Sequence, residues 1–506
     1  SGKITDKKRQ NFCQLREDEG IIMSQVKTLS ARERIEGLLD AGSFIEIGAS
    51  VHARNTDFNM SEKQTPADGV ITGYGTIDSN LVYVFSQDAS VMGGAIGEMH
   101  ARKIEKMYDM AMKMGVPVIG MYDCAGLRLQ EATDALDALG KLYRQQTAAS
   151  GVIPQYAAVF GQCGGGTALL TALSDFTFMV KDTSALFVNA PNTLDDGCGA
   201  AERYAGAEFQ GRETGNADFV CESEETLLAQ LRELVLMLPF NQEDVLDYDV
   251  CEDDLNRKIA DYSGTGDAAQ VLKDITDSGR YVEVTAGYAR EMVTAFVKLN
   301  GLTVGAVANR TEILDENGEA AESFNGKLTT EGLQKAADFI RFCDAFSIPV
   351  LSLVSATGFY TTVANEKGAA REAARLIHTF ADASAPKVTL LTGEAYGSAY
   401  LTMNSGHIGA DLVYAWPTAS VGMMPAENAV KIIYSDEINA SDDAQGLIAE
   451  KTAAYAALQT SPESAAGRGY VDAVIEPEST RQHLIAAFEM LYSKRAVRPS
   501  KKHSTL

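Results

Sequence analysis

No apolar run in the sequence approaches the ~18 residues that a membrane-spanning helix needs. The first ten residues, Ser-Gly-Lys-Ile-Thr-Asp-Lys-Lys-Arg-Gln, lack the apolar core of a secretion signal. A protein that does not span the membrane and works in the cytoplasm is therefore expected. Basic charge is also scarce: 44 Lys and Arg stand against 69 Asp and Glu, a net charge of −25. That balance disfavours nucleic acid or an anionic membrane as the main partner, although a local basic patch can still hold a phosphorylated cofactor. The seven cysteines are odd in number and contain no Cys-x-x-Cys, which argues against a disulfide framework or a zinc site. No His-x-x-x-His and no His/Cys cluster is present, so no metal centre is expected. Gly-x-Gly-x-x-Gly is missing as well, which argues against a doubly wound dinucleotide-binding fold.

What the chain does have is length, apolar material and glycine turns. Its 506 residues at 45% hydrophobic content can bury two sizeable cores. The stretch Gly161-Gln-Cys-Gly-Gly-Gly-Thr-Ala-Leu-Leu-Thr-Ala172 follows an apolar run of strand character, Tyr156 to Phe160, and precedes a helical segment. Glycines at such a strand-to-helix turn let another group approach the backbone, and the first turn of a helix leaves N–H groups without partners. The chemistry that suits this turn is an anion or a developing oxyanion.

The turn occurs twice. Gly161 and Gly393, Gly165 and Gly397, Pro154 and Pro386, Pro117 and Pro349, and Gly126 and Gly358 all share one spacing (397 − 165 = 232). The same shift lays Met99–Val118 over Glu331–Val350, and with four residues inserted Asp175 falls on Asp411. Two copies of one fold follow. Each copy carries a second backbone-exposing turn, Asp123-Cys-Ala-Gly-Leu-Arg128 and Val354-Ser-Ala-Thr-Gly-Phe359. A spiral of strand-strand-helix units is the expected fold, class α/β, with one copy in residues 1–255 and the other in 256–506. An N-terminal helical arm, an acidic stretch from Cys221 to Asp254, and a surface loop from Asp315 to Ser323 complete the outline. Met112-Lys113-Met114 matches the biotin-acceptor string but closes a helix, so the biotinylated domain is expected on another polypeptide.

Many short segments then resemble the biotin-dependent acyl-CoA carboxyltransferase family. They include Ala31-Arg-Glu-Arg34, Pro66-Ala-Asp-Gly-Val70, Met92-Gly-Gly94, Arg128-Leu-Gln-Glu131, Ser150-Gly-Val-Ile-Pro-Gln155, Phe342-Cys-Asp-Ala-Phe346, Ala395-Tyr-Gly397, Tyr414-Ala-Trp-Pro417 and Lys501-Lys-His503. The resemblance implies a tandem crotonase-like fold whose first copy binds an acyl-CoA thioester and whose second binds biotin, carried on a separate biotin carboxyl carrier protein. It implies enolates held in two backbone oxyanion holes, no metal, and active sites where one subunit's first copy faces another's second. Further partners it implies are a biotin carboxylase or a membrane decarboxylase subunit, and a homohexamer. Carried onto this chain, the thioester hole falls on the amides of Gly165 and Gly166, with Gly126 and Leu127. The ureido hole falls on Gly397 and Ser398, with Gly358 and Phe359, and Tyr396 joins the biotin side.

The chain departs from the family pattern at both holes. Cys124-Ala-Gly-Leu-Arg128 stands for Ser-Gly-Gly-Ala-Arg, Ser355-Ala-Thr-Gly-Phe359 for Asp-Val-Pro-Gly-Phe, and Tyr396-Gly-Ser398 for Tyr-Gly-Gly. Asn189–Gly199 is shorter than its family counterpart. Cys124 and Cys163 are expected to be buried, inert thiols. The departures keep a second reading open, a diverged and inactive partner in a mixed oligomer. A third, a hydratase or isomerase, needs a carboxylate at the thioester hole, and Glu131 is the one that the sequence places near it.

Overall fold

The computed structural model describes residues 28–56, 58–194, 204–244, 249–262, 266–315, 317–496, 499 and 501. The arm before residue 28, Asp195–Gly199 and Lys502-His503 lie outside the described residues.

Two sheets repeat one wiring. The first contains β1 (Ile45–Glu46), β2 (Val70–Ile77), β3 (Asn80–Gln87), β4 (Val118–Cys124), β5 (Gln155–Gly164), β6 (Phe176–Val180), β7 (Ala185–Phe187) and β8 (Phe219–Cys221). Its order is β1-β2-β3-β4-β5-β6-β8, with β7 also paired to β5. The second half supplies β9 (Tyr281–Val284), β10 (Met292–Leu299), β11 (Leu302–Asn309), β12 (Glu312–Leu314), β13 (Ala320–Ser323), β14 (Lys327–Leu328), β15 (Val350–Ala356), β16 (Gly358–Phe359), β17 (Lys387–Tyr396), β18 (Leu412–Ala415), β19 (Ser420–Gly422) and β20 (Ala473–Val474). Its main sheet runs β20-β18-β17-β15-β11-β10-β9, with β19 also on β17, the first order read backwards. Each sheet opens with an antiparallel hairpin and continues as parallel strands crossed by helices. Such central strands are covered on both faces, and all eight residues of β10 and of β11 are buried.

The duplication extends to individual atoms. Both hairpins turn on two residues of positive φ, Asp78-Ser79 and Asn300-Gly301, as the twist of tight hairpins demands. The register between the central parallel strands slips at the same place in each copy, between Tyr122 and Cys124 and between Val354 and Ala356. A side-chain amide caps each slip: Gln87 Oε1 accepts the Asp123 N–H at 3.2 Å, and Asn309 Oδ1 accepts the Ser355 N–H at 2.9 Å. Lys103 and Lys335, 232 apart (335 − 103 = 232), each donate Nζ to two carbonyl oxygens, of Ala67 and Val70 and of Thr285 and Tyr288. Burial pulls both amines down to about 8. Asp175 and Asp411 accept the N–H of Gln155 and of Lys387, each at 2.7 Å, where β5 and β17 begin.

The halves share one apolar core. Phe176 from the first sheet meets Phe342 at a ring separation of 4.7 Å and Phe296 at 6.1 Å. Burying each such ring is worth about 1.5–3 kcal/mol, so the two copies stabilise one another. The stretch expected as a plain surface loop after Asp315 is instead the β12–β13 hairpin, closed where Asp315 Oδ1 accepts the N–H groups of Asn317 and Glu319. Its polar composition concealed the strands because both of its faces are accessible. Lys113 lies in the last turn of the helix Glu98–Met114, which ends at Gly115 with φ +64°. Among the described residues, no helix is long and apolar enough to cross a membrane.

Candidate active site

The first turn forms where β5 gives way to the helix Gly166–Ala172. Gly165 sits between them at φ +63°, ψ −131°, a backbone conformation that side-chain-bearing residues avoid. A Cβ built there would meet nothing within 4 Å, so conformation alone demands this glycine. Gly166 is a glycine for another reason: a Cβ would come within 2.6 Å of Leu139 Cδ2 and 2.9 Å of the Tyr143 hydroxyl. Tyr143 donates to the Gly166 carbonyl at 2.6 Å and holds the turn from behind.

Which amides remain open is decided by the hydrogen bonds. The Gly165 N–H donates to the Phe187 carbonyl oxygen at 2.9 Å, and the Gly126 N–H points to the Cys124 sulfur at 3.3 Å. Both of these N–H groups are thus engaged within the chain itself. Among the described residues, no acceptor meets the N–H of Gly166 or of Leu127. Leu127 pairs with Ile96 in a parallel bridge in which Ile96 donates to the Gly126 oxygen and accepts from the Arg128 N–H, each at 2.9 Å. That alternation turns the amide of Leu127 to the opposite side.

The second copy repeats this arrangement. Gly358 and Phe359 pair in parallel with Lys327 and Leu328, and the Tyr360 N–H reaches the Leu328 oxygen at 2.9 Å, so Phe359 occupies the place of Leu127. Gly397 opens the helix Gly397–Thr402 at φ +56°, with exposed Ser398 next. The parallel pairing of Tyr396 with Gly422 places the Gly397 N–H against the Gly422 oxygen, as the Gly165 N–H lies against that of Phe187, and leaves the Ser398 N–H as the counterpart of Gly166. Tyr396, just before them, is buried with its hydroxyl 3.4 Å from the Glu394 carboxylate. Gly397 and Ser398 line a cavity of about 520 Å³ walled by Tyr400, His407, Arg468 and Tyr470.

Next to the Gly126–Leu127 turn lies a buried charge network that the sequence did not disclose. Arg128 Nη1 binds Asp68 at 2.6 Å and Glu131 at 2.7 Å, while Glu131 also accepts the Glu98 N–H at 2.6 Å. Glu131 therefore does not offer the thioester hole the carboxylate that a hydratase or isomerase requires. Burial raises the Asp68 carboxyl despite Arg128, and burial with the charge of Arg128 lowers His100 to about 3. Cys124 and Cys163 are buried, and burial pushes their thiols up to about 11 and about 12.

A carboxyl transferase domain matches residues 27–506. The chain belongs to the carboxyl transferase family. This carboxyltransferase is 39% identical over 490 residues to the methylmalonyl-CoA decarboxylase subunit alpha of Propionigenium modestum, covering 94% of this chain and 93% of that one. It is 40% identical, with the same coverage, to the propionyl-CoA carboxylase beta chain of Roseobacter denitrificans. Its fold superposes on the crystal structure of transcarboxylase 12S, a hexamer assembly with methylmalonyl-coenzyme A and methylmalonic acid bound, at a TM-score of 0.89 and 37% identity over 94% and 92% of the two chains. The tandem crotonase-like fold of the carboxyltransferase is thereby established, and the protein is an enzyme component.

Proposed function

We propose that the chain moves a carboxyl group between biotin on a separate carrier protein and the α carbon of a short-chain acyl-CoA of the propionyl-CoA/methylmalonyl-CoA type. The observation that carries this reading is the repeated pair of amides, Leu127 with Gly166 and Phe359 with Ser398, each pair drawn from a short parallel bridge and the first turn of a helix. Two such pairs match a reaction in which negative oxygen must be held twice, once on a thioester and once on a ureido group. Backbone donors hold it without reorganising, and each is worth about 2.7–4 kcal/mol of transition-state stabilisation. They also tolerate the departures at Cys124, Leu127 and Ser398, because a donor depends on backbone direction and not on the side chain. That favours an active enzyme over a diverged, inactive partner.

Residues 1–255 are assigned the acyl-CoA side and 256–506 the biotin side. The cavity at Gly397 and Ser398, apolar and aromatic on its walls with amides at one end, fits a fused-ring ureide. Biotin, when bound, supplies the ureido nitrogen that bears the carboxyl group. Ser398 and Phe359 receive the ureido oxygen, Gly397 shapes their turn, and Tyr396 supports it from within the core. Leu127 and Gly166 hold the thioester oxygen while the α carbon loses or gains the carboxyl group. Gly165 and Gly126 shape this turn without donating.

Both turns are surrounded by uncovered apolar side chains. Leu169 and Leu401 occupy the same position of the two copies and remain 44% and 36% exposed, with Leu129 and Met423 more exposed still. Closing one subunit's first turn against another's second buries both sets, consistent with a homohexamer. A biotin carboxylase or a membrane decarboxylase subunit would complete the cycle. With the purified chain, malonyl-type CoA esters are expected to lose their free carboxyl group only when free biotin is present to accept it. Biotin-independent hydration or isomerisation of an enoyl-CoA would contradict the reading.

A further inference from the structure

Cys124 ends β4, Cys163 lies in β5, and the parallel register sets them directly opposite one another. Adjacent strands run about 4.7–4.9 Å apart, within the ~4.4–6.8 Å between Cα atoms that a disulfide spans. Opposed residues of parallel strands also point to one face. Thr167 lies on that face, since its hydroxyl is 3.6 Å from the Cys163 sulfur. The two thiols therefore face one another across the register, in residues 1% and 0% exposed. Packing does not require them: the same register in the second sheet is filled by Ala356 and Ala395, both 0% exposed. The pair also sits at the roots of both turns of the first copy, since Cys124 precedes Gly126 by two residues and Cys163 precedes Gly165 by two.

We infer that Cys124 and Cys163 are an oxidisable pair whose disulfide ties the two turns of the acyl-CoA side together and stops carboxyl transfer. A hydroperoxide is the oxidant. One sulfur, as thiolate, attacks the peroxide oxygen, the O–O bond breaks, and hydroxide leaves to be protonated to water. The second sulfur then displaces the hydroxyl of the resulting sulfenic acid, the S–S bond forms, and a second water departs. The two thiols give up two electrons and two protons, and hydrogen peroxide is reduced to two waters. In the reduced protein the Cys124 sulfur holds the Gly126 N–H at 3.3 Å and lies 3.4 Å from the Gly126 oxygen. Drawing that sulfur into a disulfide removes both contacts and shifts the turn that carries the Leu127 amide. Burial makes the reaction slow, so the device answers sustained oxidation and not a brief pulse.

The inhibition rests on the proposed role of the first turn, whereas the cross-link does not. The full-length protein is incubated with hydrogen peroxide, its remaining thiols are alkylated after denaturation, and it is mapped by mass spectrometry without reduction. The expected result is one peptide pair joined through Cys124 and Cys163, two hydrogens lighter than the thiols, accumulating faster at higher pH. Carboxyl transfer should fall about 10²-fold in step with it and return with dithiothreitol. Cys124→Ala and Cys163→Ala, each compared with its own untreated activity, should resist peroxide. Alkylatable Cys124 and Cys163 in protein whose less buried Cys251 is fully oxidised would overturn the pair, and a cross-link that leaves transfer unchanged would overturn the switch. Untreated protein that transfers no carboxyl group would overturn the reading of the site and the inhibition with it, while mass alone decides the cross-link.

Discussion

Replacing Ser398 by proline deletes one proposed donor and little else. Ser398 is the second residue of the helix Gly397–Thr402 and is exposed. Proline is tolerated in the first turn of a helix, where its missing N–H has no helical acceptor in any case. The fold should therefore survive. The ureido oxygen, however, keeps only the Phe359 amide, and losing a donor of this kind costs about 2.7–4 kcal/mol, or 10²–10³ in turnover. Ser398→Ala keeps the N–H and removes only the hydroxyl, so its turnover should stay within about threefold of the parent, less than about 1 kcal/mol. The assay is carboxyl transfer from a malonyl-type CoA ester to biotin under saturating thioester, with circular dichroism and thermal melting confirming the fold. A folded S398P enzyme that turns over as fast as S398A would refute the assignment of this amide.

Gly166→Ala forces a Cβ against Leu139 and Tyr143 at 2.6 and 2.9 Å; the clash should cost about 1–3 kcal/mol in a urea titration and lower transfer as well. Lys335→Met leaves the carbonyl oxygens of Thr285 and Tyr288 without their donor, for a loss of about 1–3 kcal/mol per buried group. Lys103→Met should behave alike, and two very different denaturant midpoints would contradict their structural equivalence. Asp175 borders a cavity between the halves, yet burial holds its carboxyl up to about 7, with a smaller contribution from Asp218. A folded value raised above the unfolded ~3.8 means that the native state binds the extra proton, so this group's contribution to stability is present in acid and is lost as pH rises through about 7. The melting-temperature advantage of Asp175→Asn over the parent should be larger at pH 8 than at pH 5, and a constant difference would count against the shift.

The architecture was legible because duplication is written in landmarks that backbone geometry fixes. Gly165 and Gly397 need positive φ, and Asp175 and Asp411 cap the starts of equivalent strands, so their common spacing survives divergence of the side chains around them. The location of both turns followed from the same glycines. Which amide points where did not, because that depends on long-range partners: Phe187 takes the Gly165 N–H and the Ile96 bridge turns Leu127 outward. The Asp68–Arg128–Glu131 network escaped notice for a similar reason, since residues 60 positions apart meet only after β2 and β4 are placed. The polar stretch after Asp315 hid a hairpin because its strands carry no alternation of apolar residues.

The most direct test is a structure of the assembled enzyme with a non-reactive acyl-CoA thioester analogue and biotin bound. The thioester oxygen is expected about 2.7–3.1 Å from the amides of Leu127 and Gly166 of one subunit, and the ureido oxygen at similar distances from those of Ser398 and Phe359 of its neighbour. A thioester oxygen seated on the Gly397 turn, or either oxygen lying beyond hydrogen-bond reach of both amides of its pair, would contradict the account.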